Sequence, residues 1–332
     1  MKSRSGPSGA RPLVIGLLNN MPDAALEATE RQFEDLLGAA SPDREPVIRC
    51  FSLREIERGE RARAHMRDRY LDIDSVSDAG LDGLIVTGAE PRATTFDGEI
   101  YWNSLARVID WTQATRTPVV WSCLAAHAAV WRLDAIPRRR LARKLSGVFD
   151  LQAVDDHPFL EAVSAPIRSP HSRLNGLDEE DLLAAGYQIL TRSGEVGVDA
   201  FVRPGPAINL FFQGHPEYDP DSLAREYLRD VSRFLQGEQA IHPLQPSGCF
   251  DAQTALRLES LTRQAQARRD PGLTPDYLEA VAGSVQSAGW RSWAAQIYTA
   301  WLDRVGAAAE PRRSMARVAI STALAPGEPG RP

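Results

Sequence analysis

Strand-length apolar runs recur along this chain, each followed by a segment with apolar residues at helical spacing, and that alternation constrains the fold more than any other feature. Leu13 to Leu18 reads as a buried strand, Ala24 to Leu37 as a helix with Leu26, Phe33, Leu36 and Leu37 on one face, and Val47 to Phe51 as a second strand. Leu84 to Gly88 is a third strand ending in a glycine turn, and Tyr101 to Gln113 a helix. Pro118 to Cys123 is a fourth strand passing directly into an alanine-rich helix, Leu124 to Trp131. Further on, Ile208 to Phe212 is a strand, Ser222 to Leu235 an amphipathic helix, and Trp290 to Val305 a helix with aromatic residues on one face. The pattern predicts a layered α/β fold with a mostly parallel sheet flanked by helices. The doubly charged stretch Arg54 to Asp78 reads as a surface excursion, and Pro166, Pro170, Pro204 and Pro206 mark loops.

Charge and composition narrow the function. Among 332 residues, 38 are Lys or Arg against 44 Asp or Glu, and only two of the basic residues, Lys2 and Lys144, are lysines. A net charge of -6 without a large basic block argues against nucleic-acid or anionic-membrane partners, which need clustered positive charge. No apolar run approaches the ~20 residues of a spanning helix, and Met1 to Pro12 lacks the apolar core of a secretory signal. Three cysteines without CxxC spacing indicate neither a disulfide framework nor a zinc site, so no metal is expected and a cytoplasmic location fits.

Two local features carry chemistry. A cysteine at a sharp strand-to-helix turn is exposed at the carboxyl edge of a parallel sheet, on a helix N-terminus that favours thiolate. Cys123 is so placed, and the next backbone N–H, from Leu124, points where an oxyanion would develop. The plain alternative is a buried structural cysteine. The second feature is Gly214-His215-Pro216-Glu217, directly after a strand. His-x-Glu at a strand end supplies an imidazole to exchange a proton with the thiol and a carboxylate to fix its tautomer, which predicts a Cys123, His215, Glu217 triad. The other five histidines, His65, His127, His157, His171 and His242, have no comparable neighbourhood in sequence. Lys144 follows a run of arginines; it reads either as part of a solvated basic face or as a point charge chosen for a tight polar site.

Taken together, these motifs resemble the homoserine O-succinyltransferase/O-acetyltransferase family of methionine biosynthesis. The resemblance is carried by Met21-Pro22 with Glu30 to Phe33, Asp82 to Ala89, Phe96 with Tyr101-Trp102, Lys144 to Val148, Pro170 to Arg173, Gly214 to Asp219, Arg229-Asp230, and Trp290 to Ser292 with Trp301-Leu302. It implies a class I glutamine amidotransferase-like α/β fold with its nucleophile elbow at Cys123. It also implies that Cys123 accepts the acyl group, His215 is the general base and Glu217 its carboxylate partner. Lys144, Ser172 and Arg229 would be substrate-binding, with the backbone N–H groups of Leu124 and Gly88 as oxyanion hole. The implied substrates are L-homoserine and an acyl-coenzyme A, succinyl-CoA or acetyl-CoA, as co-substrate with no bound cofactor; a homodimer is implied as well. The chain then divides into a flexible tail (1–11), the acyltransferase α/β domain (12–242), a polar helical insertion (243–275), C-terminal helices packing on the same domain (276–313) and a second tail (314–332).

This chain departs from the family pattern at several places. Asp23 to Glu30 is two residues longer than the usual segment and lacks its lysine, and His127 stands where glutamine is frequent. The loop after Thr87-Gly88-Ala89 sets acyl choice in the family, glycine going with succinyl and glutamate with acetyl, and here Arg92 occupies that position. A positive side chain suits the free carboxylate of a succinyl group, which favours succinyl transfer; the alternative is an arginine turned to solvent. Other readings are homoserine O-acetyltransfer, acylation of serine, a glutamine-hydrolysing amidotransferase and a catalytically silent binding module. The elbow lacks the usual Gly-x-Cys-x-Gly of the amidotransferases, since Trp121 and Ala125 flank Cys123.

Overall fold

Apolar residues of the central strands alternate between two helical layers, as a sheet covered on both faces requires. A computed structural model describes residues 11–154, 156–164, 166–283 and 289–323, the side chains of 310–323 excepted. Its strands are β1 (Val14–Leu18), β2 (Val47–Phe51), β3 (Tyr70–Leu71), β4 (Gly83–Val86), β5 (Val119–Ser122), β6 (Arg139–Ala153), β7 (Ile167–Gly176), β8 (Gln188–Ser193), β9 (Gly197–Arg203) and β10 (Asn209–Phe212). The helices are α1 (Asp23–Ala40), α2 (Glu60–Met66), α3 (Trp102–Ala114), α4 (Leu124–Asp134), α5 (Glu179–Ala184), α6 (Ser222–Leu235), α7 (Ala252–Ala267), α8 (Thr274–Val281) and α9 (Arg291–Ala323).

The sheet order is β3-β2-β1-β4-β5-β10-β9-β8-β6-β7. The first six strands run parallel and the last four continue antiparallel. Ile15, Leu17, Ile85, Val120, Leu210 and Phe212 face the layer of α1, α6 and α9. Leu18, Leu84, Val86, Val119, Trp121 and Phe211 face the layer of α3 and α4. Trp121 and Phe211 are fully buried, and sequestering side chains of this size contributes about 2–3 kcal/mol each. Trp293, Tyr298 and Trp301 of α9 are also fully buried, closing the first layer.

Most elements expected from the sequence are present, and three expectations change. The stretch 54–78 is more than an excursion: it carries α2 and the edge strand β3, paired to β2 through Cys50 and Phe51. The segment marked by Pro166 and Pro170 is largely strand. Pro170 is accommodated in β7 because that strand lies at the edge of the sheet and pairs only with β6, where Val148 is opposite. α9 runs on to Ala323, beyond the boundary at 313, because the sequence from Ser314 is rich in helix formers and holds no glycine or proline before Pro326. Residues 1–10 and 324–332 of the expected tails lie outside the described residues. No helix among the described residues is long and apolar enough to cross a membrane.

Candidate active site

Two neighbouring parallel strands end side by side, and the candidate nucleophile and base follow them. β5 and β10 are in register through Ser122 and Phe212, so Cys123 and the 213–217 turn emerge together at the carboxyl edge. Cys123 caps α4 with φ 51° and ψ −115°, a conformation strained for a residue with a side chain. Its N–H donates to the Phe212 carbonyl at 2.7 Å, which ties the elbow to the neighbouring strand. The thiol is half-buried, and the Leu124 N–H beyond it lies in the first helical turn, where no intrahelical acceptor exists. Gly88 packs against it: a Cβ there would come within 2.9 Å of the Leu124 Cβ and 3.0 Å of its backbone nitrogen. The Gly88 backbone is therefore brought beside the amide of Leu124.

His215 and Glu217 are buried, and Nδ1 of His215 lies 2.9 Å from Oε1 of Glu217. That leaves Nε2 of His215 as the ring nitrogen able to exchange a proton with Cys123. Burial alone would discharge the imidazole, but the Cys123 sulfur and the Glu217 carboxylate outweigh it and hold His215 well above the ordinary histidine range. The His215 ring stacks on Tyr218, centroids 4.2 Å apart. The three groups thus form a thiol, imidazole and carboxylate relay suited to nucleophilic catalysis.

A cavity of about 240 Å³ opens over the thiol and is lined by Lys144, Ser172, Arg229, Gly88 and Leu124 among others. The expected binding residues are tied together by two carboxylates, Asp230, which the Arg229-Asp230 motif contained without a role, and Glu226, which no motif contained. Lys144 Nζ donates to Asp230 at 2.9 Å and lies 3.5 Å from Glu226; Ser172 Oγ donates to Glu226, as does the Tyr218 hydroxyl at 2.6 Å. Burial would raise the Glu226 carboxyl, but Lys144, Ser172 and Tyr218 hold it below the usual carboxylate range. Arg229 donates twice to Asp230. Glu226 precedes Arg229 by three residues on α6, and that helical spacing was the available sign that they share a face.

Arg92 is not brought into this cavity. Its side chain is 62% exposed, lies 3.7 Å from Glu57 and lines an adjoining cavity of about 230 Å³ that meets the first at Pro22, Ala89 and Glu90. The Arg92 loop is anchored from below by Glu99, whose carboxylate is fully buried and accepts from the Arg92 and Ala93 N–H groups. Arg138 completes the anchor through Glu99 at 3.4 Å and the Ala93 carbonyl at 2.6 Å, so the head of the apparent basic run is buried.

Two histidines with no sequence neighbourhood lie under the site. His171 Nε2 is 3.2 Å from Asp199, both fully buried, and a Cβ on Gly214 would come within 2.6 Å of that carboxylate, so glycine is required beneath His215. His127 donates from Nε2 to Gln213 Oε1 at 2.9 Å; the amide's orientation follows from its own bond to the Val198 carbonyl. Burial, followed by Arg173, pushes His127 down to about 3, so it is neutral. Arg173 is itself buried, donating to the Asn175 and Val196 carbonyls and to His171. Among the described residues no group of His, Cys, Asp and Glu is arranged to hold a metal ion.

The profile of the homoserine O-succinyltransferase family matches residues 1–311. The homoserine O-succinyltransferase of Rhodopseudomonas palustris is 43% identical over 310 residues, 93% of this chain and 92% of that one. That of Bradyrhizobium japonicum is 47% identical over 291 residues, covering 85% and 89% of the two chains. That of Methylorubrum extorquens is 46% identical over 303 residues, 90% of each. Among solved structures, a glutamine amidotransferase from Methylobacillus flagellatus is similar at a TM-score of 0.48 and 14% identity, over 88% of this chain and 94% of that one.

Proposed function

The chain belongs to the homoserine O-succinyltransferase family, and from that premise we propose that it transfers a succinyl group from succinyl-coenzyme A to the hydroxyl of L-homoserine through an acyl-cysteine at Cys123. The observation that carries the reading is the Cys123, His215, Glu217 relay at the ends of two adjoining strands, opening into a cavity lined by Lys144 and Arg229.

The chemistry follows in two halves. The Cys123 sulfur, its proton held by His215, attacks the thioester carbonyl of succinyl-CoA. Negative charge develops on the carbonyl oxygen, and the Leu124 amide at the start of α4, with the Gly88 backbone beside it, would stabilise it. Collapse expels coenzyme A, whose thiolate takes the proton from His215, and leaves a succinyl thioester on Cys123. Homoserine then enters; His215 takes its hydroxyl proton as the oxygen attacks the thioester, and returns that proton to the departing Cys123 sulfur. Glu217 holds the imidazole by its Nδ1 so that Nε2 serves the sulfur and the substrate hydroxyl in turn. Arg229 suits the homoserine carboxylate, with Asp230 keeping its guanidinium oriented.

Steady-state turnover tests this reading. With succinyl-CoA and homoserine varied together, the double-reciprocal plots should be parallel and the product O-succinylhomoserine. Intersecting plots would overturn the acyl-cysteine. Higher kcat/KM with acetyl-CoA, serine or glutamine than with the proposed substrates would overturn the assignment of substrate.

A further inference from the structure

In the second half of the reaction proposed above, on which this inference rests, two carboxylates share one cavity: the free end of the succinyl group on Cys123 and the α-carboxylate of homoserine. Each needs a cation of its own, because two unpaired carboxylates in a confined site repel and are costly to desolvate. Four basic side chains line the cavity: Lys144, Arg173, Arg229 and Arg233. Lys144 is engaged by Asp230 and Glu226. Arg173 spends its guanidinium on two backbone carbonyls and His171. Arg229 is bonded to Asp230 along one edge and keeps the rest of its donors.

Arg233 differs from the other three. It lies four residues beyond Arg229 on α6, one helical turn away on the same face. Its side chain makes no hydrogen bond among the described residues. The carboxylate it approaches is Asp230, whose Oδ1 is 4.0 Å away and already accepts twice from Arg229, while Oδ2 accepts from Lys144. At 43% exposure it is open to the cavity and to solvent. Arg92, the other candidate for an acyl carboxylate, faces Glu57 in the adjoining cavity.

We propose that Arg233 binds the free carboxylate of the succinyl group and sets the preference for succinyl over acetyl, leaving Arg229 to homoserine. A guanidinium with its donors unspent accepts a carboxylate in a bidentate pair, and an acetyl group offers it nothing. The test is the first half-reaction alone: release of the coenzyme A thiol on mixing enzyme with succinyl-CoA or acetyl-CoA, without homoserine. Arg233→Gln should lower the succinyl-to-acetyl ratio of rate constants by about 10–100-fold, the worth of one charge-assisted contact. Arg233→Lys, which keeps the charge and loses the fork, should retain part of it. In complete turnover Arg229→Gln should raise KM for homoserine, and Arg233→Gln should not. An unchanged ratio in Arg233→Gln, whether or not both rates fall, overturns the proposal, as does loss of the preference in Arg229→Gln alone. Acetyl discrimination is read within each variant, so a partly misfolded preparation does not mimic the result. A wild-type enzyme that takes an acyl group from acetyl-CoA and none from succinyl-CoA overturns instead the succinyl-transfer reading beneath it.

Discussion

Cys123 occupies a backbone conformation that most residues with side chains avoid, and three bonded neighbours make that position serve chemistry. The Phe212 carbonyl holds its N–H, His215 holds its sulfur, and Glu217 holds His215. Of these, Glu217 contributes charge as well as orientation. Glu217→Gln keeps the shape and removes the carboxylate that helps hold the proton on His215, so kcat should fall by about 10²–10⁴-fold with KM little changed. A kcat within twofold of wild type in steady-state assays would reduce Glu217 to packing. The relay was legible in the sequence because Cys123 directly follows β5 and the His-x-Glu pair lies in the turn directly after β10. Glu226 was not, because its partners Lys144, Ser172 and Tyr218 come from two separate strands and a turn and only the fold assembles them. Arg92 was misleading in placement for the same reason: its loop position is set by Glu99 and Arg138, which are 7 and 46 residues further along the chain.

That anchor belongs to the scale of elements, where the loop after β4 is tied to the start of β6. Glu99 and Arg138 are almost fully buried, and removing one partner of such a pair costs about 3–5 kcal/mol because the other charge is left uncompensated. Glu99→Gln should therefore release the 89–95 loop and lower thermal stability. Amide hydrogen exchange would report faster exchange confined to that loop and its surroundings; unchanged protection there would show that the buried pair does not hold it. β1, β4, β5 and β10 were readable because they are buried on both faces and so nearly continuous in apolar residues, whereas the parallel edge strand β3 is two residues long and not buried. β6 was not readable: its first half is exposed and arginine-rich and mimics a solvated charged run, although it carries Lys144 into the site. β7 was hidden by Pro170, which an edge strand tolerates.

Across the whole molecule, the buried neutral histidines couple stability to pH. His127 is held down to about 3, and His171 is also lowered, chiefly by burial. Below about pH 6.5 the unfolded chain binds more protons at these positions than the folded chain does, so stability falls as pH falls, by up to about 1.4 kcal/mol per pH unit for each histidine. His215 acts in the opposite sense: its raised value adds stability that is present below 6.5 and is lost as pH rises through the folded value. His127→Gln, which preserves a polar partner for Gln213, should flatten the urea-unfolding free energy between pH 6.5 and 4; the wild-type slope in that variant would contradict this account of His127. At the same scale, the adjacency of β5 and β10 brings together residues about ninety positions apart, and everything proposed here depends on Cys123 being the atom that carries the acyl group. The direct measurement is the intact mass of the protein after brief exposure to succinyl-CoA without homoserine. The expected result is a gain of one succinyl group, located on Cys123, absent from Cys123→Ser and discharged on adding homoserine. A protein that turns over succinyl-CoA and homoserine yet shows no such adduct, or retains it in Cys123→Ser, would contradict it.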